Sequence, residues 1–157
     1  MQSFEMPRPT DKHVKLKSLA GTWVGEEQLH PSPWDQKGGT ALGRIDAKMD
    51  LDGFFLVSDY VQDRGGQCAY RGHGVFGWDE GSNCYTMHWF DSIGSPCTEP
   101  ARGTWEGNRL VFQSKSSMGH GRFSYEFEGE GKYRFKIENS TDGKQWALFM
   151  EGKYTRK

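Results

Sequence analysis

Ten strand-like stretches joined by short loops and built around aromatic side chains predict an all-β fold. The specific expectation is a closed up-and-down antiparallel barrel of about ten strands, preceded by a short N-terminal helix. Turn sequences supply the punctuation: Asp52-Gly53, Gly65-Gly66, Gly107-Asn108, Gly129-Glu130-Gly131 and Asp142-Gly143 each separate two alternating runs. Strands joined this closely become sheet neighbours, and rolling the sheet shut removes its exposed edges. The core is aromatic, because 10 Phe, 6 Trp and 6 Tyr outnumber the 17 Val, Ile and Leu residues. A length of 157 residues suits one domain. The net charge of −1 argues against a nucleic-acid partner, and the longest apolar run, residues 146–150, is far too short to span a bilayer as a helix.

Residues 1–10 carry Pro7 and Pro9 and read as an extended tail, with no basic-then-apolar order of a signal peptide. The single domain then runs over 11–157. Thr10 or Asp11 caps a helix that continues to about Ala20, where Gly21 ends it. Strands follow at 21–29, 39–51, 54–63, 67–78, 83–92, 99–106, 109–116, 120–128, 132–141 and 144–155. Cys68, Cys84 and Cys97 are odd in number and lack metal or redox spacing, so they read as reduced thiols in a cytoplasmic protein.

Residues directly opposite in an antiparallel pair share a face, so each hairpin register can be checked for chemical match. A three-residue turn at Gly129–Gly131 sets Phe127, Tyr125 and Phe123 against Tyr133, Phe135 and Ile137, with Arg122–Glu138 and Glu126–Arg134 on the reverse face. The Asp52-Gly53 turn faces Leu51, Met49 and Ile45 with Phe54, Leu56 and Tyr60. A two-residue Asp142-Gly143 turn sets Ile137 against Leu148, Phe135 against Met150 and Asn139 against Trp146, sending Trp146 inward. The facing of strand 67–78 depends on the loop before it, because a one-residue change inverts every side chain. A three-residue Arg64–Gly66 loop, the favoured register, puts Tyr70, Phe76 and Trp78 inside; a four-residue Asp79–Ser82 loop adds Tyr85, Met87, Trp89 and Asp91, with Gly72 and Gly74 leaving space. A tight Gly65-Gly66 turn would instead put Arg71, His73, Thr86 and His88 inside; with the four-residue Asp79–Ser82 loop, His73 opposes His88.

Leu19-Ala20-Gly21-Thr22-Trp23, where the helix meets the first strand, resembles the Gly-x-Trp signature of lipocalins and the wider calycin barrels. Further motifs are Ser32-Pro33-Trp34, Leu51-Asp52-Gly53-Phe54-Phe55, Gly72 to Asp79, Tyr85 to Asp91 and Met118-Gly119-His120-Gly121. Together they resemble a bacterial family known as a domain of unknown function with a calycin-like barrel, over Lys17 to Tyr154. Similarity to lipocalins and fatty-acid-binding proteins implies a cavity for a small, mostly apolar molecule. The lipocalin resemblance also implies that Trp23 plugs one barrel end beneath Arg156. Gly21-Thr22-Trp23-Val24-Gly25 is similar to the start of the haem-binding nitrobindins, whose axial histidine lies near the C-terminus; here no histidine follows His120.

The expected function is therefore binding of a small hydrophobic or aromatic molecule, as a carrier or sensor, with no resident cofactor. Its contacts are Tyr60, Tyr70, Trp78, Tyr85, Met87, Trp89, Asp91 and Tyr125, and the proline-bearing 92–100 loop forms the mouth. The inward tyrosines and tryptophans carry polar handles that need partners when buried, which favours a partly open interior. The alternative is an enzyme, or a haem or divalent-metal protein, using Arg71, His73 and His88. A third possibility rests on the favoured register, in which Phe55, Val57, Val75 and Phe90 stand outside beside the two histidines as a possible homodimer face.

Overall fold

The computed structural model describes residues 3–33 and 35–157; Trp34 of the Ser-Pro-Trp motif lies outside them. Ten strands form where the alternating runs stand: β1 (Gly21–Leu29), β2 (Gly39–Asp50), β3 (Phe55–Arg64), β4 (Gln67–Asp79) and β5 (Cys84–Asp91). They continue as β6 (Ala101–Glu106), β7 (Arg109–Ser116), β8 (Gly119–Phe127), β9 (Lys132–Ser140) and β10 (Ala147–Arg156). Each pairs antiparallel with the next, and β1 pairs with both β2 and β10, which closes the barrel. The weakest joint is β5 with β6, where only Tyr85–Met87 meet Ala101–Gly103 before the 92–100 loop diverges.

The helix is shorter than expected. α1 (Asp11–Val14) opens with the Thr10 amide donating to His13 Nδ1 at 2.9 Å, and a 3-10 turn over Lys15–Leu19 carries the chain on. Leu16 and Leu19 of that turn are buried. Beneath them Trp23 is fully buried and donates its Nε1–H to Leu19 O at 3.0 Å, while the Arg156 guanidinium covers its ring at 4.6 Å. The barrel end is plugged as the lipocalin resemblance implies.

Two registers match expectation: Phe123, Tyr125 and Phe127 face Ile137, Phe135 and Tyr133, and Ile45 and Met49 face Tyr60 and Leu56. Leu51 departs, because it sits in the turn at φ 48° and is exposed. The β3–β4 hairpin combines both alternatives. Its turn is the tight one, Arg64 opposite Gln67 with Gly65 and Gly66 at φ 62° and 82°, but an irregularity between Gln62 and Asp63 then shifts the pairing by one residue. Tyr60 thus faces Gly72 and Leu56 faces Phe76, so the favoured facing survives with different partners.

Two expectations are corrected. The β9–β10 link is longer than a two-residue turn: the Asp142 carboxylate accepts the Lys144 and Gln145 amides at 2.8 and 2.9 Å, and a bulge between Leu148 and Met150 brings Met150 opposite Ile137. Trp146 consequently packs outside, under the Arg122 guanidinium at 4.2 Å. The β4–β5 register is displaced by two residues, which places His73 opposite Phe90 and His88 opposite Val75.

Candidate ligand cavity

Alternation directs one side chain in two toward the barrel axis, and the small residues among them leave a cavity of about 570 Å³. Its walls are mainly apolar and aromatic, with Leu56, Phe76 and Met87 deep and Phe135, Ile137 and Phe149 across from them. It reaches solvent beside Ile93, which lines it and is 75% exposed, so the 92–100 loop borders the mouth as expected.

The polar groups form two clusters. At the mouth, Tyr70 OH donates to Asp91 Oδ2 at 2.7 Å and accepts from Trp89 Nε1–H at 2.8 Å, while Asp91 Oδ1 accepts the Ile93 amide at 3.1 Å. The Trp89 ring lies flat across Gly72 and Gly74, whose missing side chains make room for it. Deeper in the wall is Glu27, buried to 2% exposure. Its carboxylate accepts from Tyr60 OH at 2.6 Å, from Gln62 Nε2 at 3.0 Å and from Tyr154 OH. Gly43 stands against Glu27 with no room for a Cβ.

Burial pushes the Tyr60 hydroxyl well above its ordinary pKa, and the neighbouring Glu27 carboxylate adds to the rise. Burial likewise raises Tyr70, with Asp91 reinforcing it and the Trp89 donor opposing it. Tyr125 and Tyr133 are raised by burial first, and no hydrogen bond to either hydroxyl is found among the described residues. Both line the cavity.

Six of the eight expected contact residues, Tyr60, Tyr70, Met87, Trp89, Asp91 and Tyr125, line this space. Trp78 and Tyr85 share their face but lie at the plugged end, where Tyr85 OH donates to Lys12 O at 2.7 Å and Trp78 Nε1–H donates to Glu80 Oε2 at 2.6 Å. Arg71, His73 and His88 occupy the outer face instead, and His73 Nδ1 lies 2.8 Å from Asp59 Oδ1. No group of three potential metal ligands occurs among the described residues. The cavity lining contains no histidine, so a haem held as the nitrobindin resemblance implies lacks its histidine ligand here.

Sequence reasoning missed Glu27, Ser58 and Gln62. All three were signalled: Glu27 follows Trp23 by four residues on β1, and Ser58 and Gln62 flank Tyr60 at two residues' distance on β3.

No helix among the described residues is long and apolar enough to cross a membrane. Among solved structures the chain is similar to Rv2717c from M. tuberculosis, with TM-score 0.68 and 12% identity over 94% of this chain and 98% of that one. It is also similar to the S-type phycobiliprotein lyase CPES from Guillardia theta, with TM-score 0.69 and 8% identity over 94% and 93%. At these identities the likeness shows the calycin-like barrel fold alone. No curated protein matches the chain. Residues 8–156 match the family described as protein of unknown function, DUF1579, and the chain belongs to that family.

Proposed function

We propose that the protein binds a small hydrophobic or aromatic molecule inside the barrel, as a carrier or sensor. The cavity carries this reading: its volume, about 570 Å³, lies within the range typical of ligand pockets, and apolar walls with a few placed hydroxyls are what such pockets use. Tyr125 and Tyr133, without protein partners for their hydroxyls among the described residues, support a guest or solvent as the missing partner. The free cysteines support a reducing compartment, the cytoplasm.

Titration with the neutral fluorophore N-phenyl-1-naphthylamine tests the proposal. The expected result is saturable quenching of tryptophan emission with enhanced probe emission, and Trp89→Ala weakens binding by about tenfold through loss of one aromatic contact. Unchanged emission across the titration, with no small molecule retained in native mass spectrometry, defeats the reading.

A further inference from the structure

Resting on that reading, we infer that the ligand is a neutral or positively charged hydrogen-bond donor, and that the cavity rejects carboxylates and other anions. Among the described residues no Lys, Arg or His lines the cavity, and the one charged side chain that does is the Asp91 carboxylate. A second carboxylate, Glu27, stands directly behind Tyr60 and Gln62. Arg64 is bound to Asp35 and to Gly38 O, and Arg71 belongs to the outer face. A buried anion would face two acidic groups with no countercharge, in surroundings that screen charge far less than water does.

The direction of the hydrogen bonds points the same way. Tyr60 and Tyr154 give their protons to Glu27, and Tyr70 gives its proton to Asp91. Trp89 gives its N–H to Tyr70, and the Gln62 amide nitrogen serves Glu27 at 3.0 Å and Tyr60 at 3.1 Å. The donors of these two clusters are therefore consumed internally. What these clusters keep for a guest is acceptor capacity, on the Asp91 oxygens and on the Gln62 carbonyl, while Ser58 and Asn139 elsewhere in the lining can donate or accept. Tyr125 and Tyr133 can donate or accept and so do not oppose this polarity. A guest that presents N–H or O–H groups to the Asp91 side, with an apolar body among the aromatic rings, completes both clusters.

Three compounds with the same ring and arm isolate the charge: 1-naphthaleneethylamine, 1-naphthaleneethanol and 1-naphthaleneacetate, each competed against N-phenyl-1-naphthylamine at pH 7. The amine and the alcohol are expected to displace the probe at concentrations at least about tenfold below the acetate. Asp91→Asn is expected to reduce the amine's advantage over the acetate to less than about threefold, since the charge at the mouth is removed. Displacement by the acetate equal to or stronger than that by the amine overturns the inference while leaving cavity binding intact. If neither the probe nor any of the three binds, cavity binding fails and the inference with it.

Discussion

Gly72 decides where Trp89 can lie. A Cβ at Gly72 would stand 1.9 Å from Trp89 Cζ2, and one at Gly74 would stand 3.0 Å from Trp89 Cε3. The indole therefore rests on bare backbone, and that position sets its Nε1–H on the Tyr70 oxygen, whose own O–H is directed at the Asp91 carboxylate. Gly72→Ala must displace the ring. Overpacking of this kind costs roughly 1–3 kcal/mol, so urea denaturation should show a loss of about 2 kcal/mol together with a changed near-UV tryptophan spectrum. Glu27 governs its surroundings in the same way, since two tyrosine hydroxyls and one amide are oriented by a single carboxylate.

At the scale of elements, the segment between β1 and β2 is fastened by Arg64, which donates to Asp35 Oδ2 at 3.1 Å and to Gly38 O at 3.0 Å. The Arg64 hydrogen bond, helped by the Lys37 and Gly38 amides, holds the Asp35 carboxyl below its ordinary value of 3.8. A depressed folded-state value means that this fastening is complete above 3.8 and is lost as the pH falls through the lower, folded-state value. Carboxyl NMR titration should therefore find Asp35 below 3.8 in the native protein and returned toward it in Arg64→Gln.

Elements were the most legible part of the sequence, because turn glycines and two-residue alternation are local signals. The Gly129–Gly131 hairpin was readable to the residue pair, and so was the Asp52-Gly53 hairpin beyond Leu51. What alternation fails to convey is depth along the barrel axis. Trp78 and Tyr85 face inward as expected yet meet the N-terminal segment instead of the cavity, since depth depends on strand stagger and on which end is plugged. Bulges were equally opaque. The irregularity near Gln62 moves partners without inverting the inward face, whereas the one near Phe149 turns Trp146 outward, and aromatic matching alone revealed neither.

Across the whole molecule, all 6 tyrosines are shifted upward, with burial the largest cause at each. Raised folded-state values leave stability intact below the ordinary value of 10; above it the unfolded chain loses protons first, and stability declines as pH rises. Absorbance at about 295 nm, the phenolate band of tyrosine, should therefore show little native ionisation near pH 10, then one cooperative step coinciding with loss of near-UV circular dichroism.

The three-pair joint between β5 and β6 has a dynamic consequence. A hoop parts first at its shortest weld, and here that weld ends just below Trp89 and Asp91. Brief separation there needs only local hydrogen bonds to break, far fewer than global unfolding requires. Such parting widens the existing mouth beside Ile93 on its Trp89 and Asp91 side, while the remaining staves keep the cylinder's shape.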